Sequence, residues 1–231
     1  MKFSPGLGVG AMSGSQGGIT ASHGNAGQYF RTRTIPTNPQ TAAQTTVRTN
    51  LGATAAAWGT SLSDAQREGW FTFAANYPIT DALGQPLQLT GSQAFSRLNA
   101  RLLAAGLSMI LTAPTDQNVT DLLSITASVV VTGSVMTVAF DPSPIGADDV
   151  IIVRATPAFS PGKSYFTKML RQILVSSLED TTPLDVSAAW IAKFGSFPAA
   201  GTKVGFEVNC LRSVNGAYDA VLRATATVTA S

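Results

Sequence analysis

The apolar positions of this chain change their period partway along. Over residues 38–119 they recur every three or four residues, and from about residue 120 they recur every second one. A period near 3.6 marks one face of a helix and a period of 2 one face of a strand. The first stretch therefore predicts helices and the second a β-rich unit. Asn38-Pro39 reads as the first helix start, with the Asn side chain capping free amides and Pro at the first helical position. Ala43, Val47, Leu51, Ala55 and Trp58 follow as a single apolar stripe. Ser63 with Gln66 forms a capping-box pattern ahead of Trp70, Phe73, Ala74 and Tyr77, and Pro78 ends that helix. Thr90 with Gln93 starts a third, carrying Phe95, Leu98, Leu102 and Leu103, with Gly106 as its C-terminal glycine.

Beyond residue 120 the strands follow in order. Ile125, Ala127, Val129 and Val131 alternate with smaller or polar neighbours, Gly133-Ser134 breaks the run, and 135–140 returns as a second strand. The continuous apolar run 150–153 suits a central strand. Phe166, Met169, Leu170, Ile173 and Leu174 fit helical and strand spacing alike and are assigned to a strand because their neighbours are strands. A short helix is expected from Asp185, its cap, to Phe194. Val204, Phe206, Val208 and Cys210 share one strand face, and Ala220, Leu222, Ala224, Ala226 and Val228 another. Between them Asn215-Gly216 predicts a type I′ hairpin, which needs positive φ at both central residues.

Residues 1–37 fit neither period. They are dense in glycine, serine and threonine, and their apolar residues are too scattered for one face of a helix or strand. Such a stretch does not bury a core of its own, and the expectation is an extended arm that orders against a neighbouring subunit. Phe3, Tyr29, Phe30 and Ile35, interleaved with Arg31 and Arg33, are its candidate interface residues, since aromatics and Arg are enriched at interfaces. The predicted fold class is α+β: an extended N-terminal arm (1–37), a small three-helix segment (38–119) and a C-terminal antiparallel β-sandwich (120–231).

Composition narrows the function. Charged residues make up 12% of the 231-residue chain, about half of the usual ~25%, and a weakly charged surface suits burial against neighbours. The formal net charge of +2 gives no field that would make nucleic acid or an anionic membrane the main partner. No apolar run reaches the 18 residues of a membrane span, and the N-terminus shows glycines in place of a secretion signal, so synthesis in the cytoplasm is expected. The single Cys210 sits in an alternating apolar run and reads as a buried thiol. The sole histidine, His23, lies in the Gly/Ser-rich stretch, a poor scaffold for a base or a metal ligand. The acidic pairs Asp148-Asp149 and Glu179-Asp180 lack EF-hand spacing, and Gly6, Gly8 and Gly10 are not followed by the Lys-Ser/Thr of a phosphate loop. The chain is thus expected to be no enzyme and to need no cofactor or metal.

Two resemblances extend this reading. Val135-Met136-Thr137-Val138-Ala139-Phe140-Asp141-Pro142 resembles the second strand of fibronectin type III domains, with Phe140 standing where that family usually has Trp. The 204–208 run, Asn215-Gly216-Ala217 and the last alternating strand resemble that family's final hairpin. In the N-terminal half, Gly17-Gly18, the run from Arg31 to Asn38-Pro39-Gln40-Thr41, the Asp64-Ala65-Gln66-Arg67 to Trp70 helix and Thr90-Gly91 resemble uncharacterised tailed-phage and prophage virion structural proteins. That resemblance implies a structural component of a virion, as capsid decoration, head–tail joint or tail part, whose partners are copies of itself and other virion proteins. The alternative is a fibronectin-like adhesion module whose loops 142–148 and 157–165 bind a glycan or receptor through Phe159 and Tyr165.

Overall fold

The computed structural model describes residues 12–24, 27–80 and 84–230. The protein is α+β, with four α-helices among the described residues and antiparallel sheets. It divides into two compact units, Met1–Thr45 and Thr46–Ser231.

In the first unit, β1 (Gly14–Gln16), β2 (Ile19–Gly24) and β3 (Gly27–Thr32) form an antiparallel meander in the order β1-β2-β3. Described residues between Gly14 and Thr32, expected to lie in an extended arm, therefore pair with one another. Local hairpins need turn chemistry more than apolar periodicity. Gly17, at φ +57°, and Gly18 form a two-residue turn between the paired Gln16 and Ile19, and the Arg33 amide donates to Gly18 O at 2.9 Å. Among the described residues of this sheet only Gln28 is buried, so backbone pairing rather than a core holds it.

α1 spans Ala42–Thr60. It starts later than Asn38-Pro39 suggests, because Thr41 and Gln44 form the cap: the Gln44 amide donates to Thr41 Oγ1 (3.4 Å) and the Thr41 amide to Gln44 Oε1 (3.3 Å). Asn38 instead accepts from the Gln40 amide, at a residue with φ +45°. The expected stripe is also corrected. Ala43, Val47, Leu51 and Ala55 are exposed, whereas Thr54 and Ala57 are buried and Trp58 half-buried.

α2 (Asp64–Asn76) and α3 (Gly91–Ala104) flank the two-stranded ribbon of β4 (Ile79–Thr80) and β5 (Pro86–Leu87). Both helices open on the capping boxes read from the sequence, Ser63/Gln66 and Thr90/Gln93. α3 closes with Gly106 at φ +78°, the Gly106 amide donating to Leu103 O and the Leu107 amide to Leu102 O, the hydrogen-bond pair of a Schellman ending. Their shared core is aromatic: Trp70 meets Phe95 edge-on at 5.3 Å and Phe73 at 5.5 Å. The Trp70 Nε1–H donates to Leu111 O (2.8 Å). Asn99, fully buried, exchanges hydrogen bonds with both backbone groups of Ile110.

The remaining elements are β6 (Ser124–Val130), β7 (Val135–Asp141), β8 (Asp149–Ala155), β9 (Arg171–Val175), β10 (Leu184–Asp185), α4 (Ser187–Phe194), β11 (Lys203–Arg212) and β12 (Leu222–Thr227). They form one sheet of order β10-β7-β6 and one of order β12-β11-β8-β9. One core joins residues of both sheets, including Val129, Met136, Val138 and Phe140 from the first and Ile151, Val153, Phe206, Val208 and Cys210 from the second. Trp190 of α4 packs into it and donates Nε1–H to Thr156 O (2.9 Å).

β8 is buried along almost its whole length because both of its faces are covered. Inward, Ile151 pairs with Cys210 and Val153 with Val208. Outward, Val150, Ile152 and Leu211 pack with Leu102 of α3 in a second core. The helices and the strands thus meet across the outer face of β8 and β11, within one compact unit. The Asn215-Gly216 turn takes part and departs from the expected type I′ form. Only Gly216 has positive φ, and Asn215 is buried with its Nδ2 donating to Asn118 O (2.8 Å). The tertiary contact overrides the local preference. Arg101 of α3 lies over the Tyr218 ring at 4.6 Å and donates to Gly216 O. A second departure concerns 166–174. Only Arg171–Val175 is a strand; Thr167–Met169 is a 3-10 turn, and Phe166 lies over Gly205, where an added Cβ would come within 2.5 Å of its ring.

Leu102→Ala should destabilise the chain by about 2–5 kcal/mol, the range for deleting a fully buried Leu side chain. Urea unfolding followed by tryptophan fluorescence and by far-ultraviolet circular dichroism should give coincident transitions, because Leu102 ties helices to strands. Two separated transitions would show that the helices and strands fold independently.

Candidate functional site

The candidate interface residues do not form one patch. Along β3 successive side chains point to opposite faces of the sheet. Phe30 lies opposite Ala21, and both line a hollow of about 750 Å³ with Gly14, Gln16 and Ile19. Tyr29 pairs with Ser22 and Arg31 with Thr20, on the other face. Tyr29 and Phe30 are half-buried, Arg31 and Arg33 are exposed, and Ile35 is 77% exposed. Phe3 lies outside the described residues, as do Gly6, Gly8 and Gly10. The structure therefore separates a Tyr29/Arg31 face from a Phe30 face.

The sequence reading missed a further apolar surface, at Val47 (66% exposed) and Leu51 (56% exposed) on α1. It took them for core because they repeat at helical spacing. A signal was nevertheless present in the helix lengths. α1 has 19 residues and α2 and α3 have 13 and 14, so at 1.5 Å per residue α1 is longer by roughly 8 Å, more than one turn. Its buried residues, Thr54 and Ala57, lie in its second half, and its first turns carry apolar side chains at the surface.

The polar candidates serve the fold. His23 is exposed on β2 opposite Gln28. Asp149 is fully buried, and its Oδ2 accepts from the amide (3.1 Å) and hydroxyl of Thr120, fastening the segment that leads into β6. Asp148 pairs with Arg212 at 3.5 Å. The two acidic pairs come together, the Glu179 amide donating to Asp149 O. Of the loop aromatics, Phe159 is buried and stacks on Phe166 at 6.1 Å, whereas Tyr165 is 60% exposed. On the outer face of the larger sheet, Glu207 bridges Arg154 (2.8 Å) and Arg223 (2.9 Å).

Cys210 is fully buried in the core between the sheets. Burial, reinforced by the negative charges of Asp149 and Asp219, pushes its thiol up to about 12 from an ordinary 9.0. The thiolate is the reactive form, so the folded chain holds an inert thiol.

No protein-family model matches the chain, and no curated protein matches it.

Cys210 yields a test of the fold. Its raised pKa contributes stability that is intact below pH 9 and is lost as pH climbs toward about 12. Stability measured by denaturant unfolding should fall over that window in the wild type and fall less in Cys210→Ala. A thiol reagent at pH 8 should label the chain only after denaturation; labelling of the native chain at the rate of a free thiol would contradict the buried placement.

Proposed function

We propose that the chain is a structural component of a tailed-phage virion that works through protein–protein contacts. The observation that carries this reading is the exposed apolar stripe at Val47 and Leu51 on α1, preceded in the sequence by a small sheet that bears exposed Arg31 and, beyond its last strand, by exposed Arg33 and Ile35. A solvent-facing apolar helix stripe gains free energy when a partner removes it from water, at about 25 cal/mol per Å², and a chain with 12% charged residues opposes such burial little.

The β-rich part supports a fibronectin type III-like sandwich within this reading. Its strand order, β6-β7-β10 in one sheet and β12-β11-β8-β9 in the other, is compatible with that family's two-sheet arrangement, and side chains from both sheets share one core. A sandwich of this kind serves as a spacer and scaffold, and its function lies in the surfaces grafted on it. The adhesion reading finds less support. Its stacking pair Phe159 and Tyr165 is divided between core and surface, so a glycan would meet one aromatic of the two.

Purified particles of the phage encoding this chain, analysed by mass spectrometry, should contain it at a fixed copy number; its consistent absence from particles would sink the assignment. Val47→Asp with Leu51→Asp should abolish incorporation while leaving the thermal midpoint within about 2 °C, because exposed positions contribute little to the fold. A double variant that incorporates normally would move the interface away from α1.

A further inference from the structure

The net charge of +2 conceals a separation of charge along the strands of the β-rich part. β8 and β11 run antiparallel, so the start of β8 at Asp149 lies beside the end of β11 at Arg212, and Ala155 lies beside Phe206, the fourth residue of β11. At the Asp149 end, the loop after β7, the segment after β9 and the segment before β6 converge. The Ile145 amide donates to Asp180 O, the Glu179 amide to Asp149 O, and the Leu123 amide to Asp141 O. This end carries Asp121, Asp141, Asp148, Glu179 and Asp180, all exposed or half-buried, and two nearby bases, Arg212, which pairs with Asp148, and Arg101, which lies over Tyr218.

At the Ala155 end the sign is reversed. Arg171 pairs with Ala155, the Arg171 guanidinium donates to Lys168 O, and Lys203 exchanges backbone hydrogen bonds with Phe159. Lys163 reaches Met169, and Lys193 lies on α4, whose Trp190 bonds Thr156. Lys163, Lys168, Arg171 and Lys193 are exposed and Lys203 is half-buried. The nearby acids are each engaged: Glu207 is bridged by Arg154 and Arg223, and Asp185 is held by Ser187.

The two ends are about 20 Å apart, from the seven-residue length of β8 at 3.3 Å per residue. That exceeds twice the screening length of about 8 Å at physiological salt. The charges of one end therefore do not neutralise those of the other within a chain, and each end presents its own sign to whatever approaches.

We infer that copies of this chain associate head to tail, the basic end of one β-rich part meeting the acidic end of the next. The occupant is a second copy because one molecule carries both halves of the complement, aligned along one strand direction. Such a contact is heterologous and builds a ring or a filament rather than a two-fold dimer. It uses surfaces distinct from α1 and from β1–β3, and it holds or fails independently of the virion assignment.

The test is the mass of the full chain in solution, by sedimentation, at about 10 mM and about 1 M salt, where the screening length is about 30 Å and about 3 Å. The wild type should show at least a twofold higher mass at low salt than at high salt; a mass that does not change with salt overturns the inference. Lys163→Glu, Lys168→Glu and Lys193→Glu together, or Asp121→Lys, Asp141→Lys and Glu179→Lys together, should remove the low-salt increase while keeping the circular dichroism spectrum. Mixing the two variants should restore association, since one now has two acidic ends and the other two basic ends. Folded variants that fail to associate when mixed, or that associate alone as the wild type does, also overturn it.

Discussion

The structure of residues 46–231 depends on the covering of β8 and β11 from both sides. A strand whose residues are apolar without alternation needs two apolar neighbours, and Val150, Ile151, Ile152 and Val153 are such a run. The inner neighbour is the other sheet, through Val138 and Phe140. The outer neighbour is α3, through Leu102. Once α3 lies there, further placements follow. The 106–120 segment must pass across the end of the larger sheet, where Asp149 and Asn215 hold it through Thr120 and Asn118. The turn after β11 must also fit beneath α3, and Gly216 is required because an added Cβ would come within 3.0 Å of Leu98.

This double covering also decides which features could be read from the sequence. Local chemistry that acts within a few residues was legible. The capping boxes at Ser63/Gln66 and Thr90/Gln93, the Gly106 ending, and the inward faces of β6, β7 and β11 appear where the pattern puts them, although Val131 falls beyond the end of β6. Features decided by what lies across the fold were not. Asn215-Gly216 carries a strong local turn preference, yet the Asp116–Asn118 backbone claims Asn215, α3 packs on Gly216, and the turn changes. Val47 and Leu51 have helical spacing, yet periodicity reports that a face is apolar and leaves open whether anything in the same chain covers it. Tyr29 and Phe30 are adjacent in sequence, and only the pairing of β2 with β3 shows that they serve opposite faces.

The charge distribution was illegible for a related reason. Summed over the chain, bases and acids nearly cancel. The acids of the β-rich part fall chiefly in segments that the strand order carries to one end, and most of the lysines in segments that it carries to the other. A sequence average discards that separation, whereas strand direction restores it. Net charge thus bounds the field far from a molecule and says little about surfaces a few ångströms from a partner.

The charged ends and the apolar stripe of α1 differ in what they can specify. Charge attraction is long-ranged and sets which end approaches which, chiefly through the rate of encounter. It constrains rotation about the strand direction weakly, because opposed clusters of flexible lysines and carboxylates accommodate many angles. An apolar helix stripe acts at contact distance, and packing fixes the angle at which another surface meets it. A head-to-tail contact closes into a ring only if the rotation from one copy to the next divides a full turn. Ends matched by charge alone would therefore give a distribution of open and closed forms. A single closed assembly requires a second contact that fixes the angle, and Val47 and Leu51 provide the short-range chemistry such a contact needs.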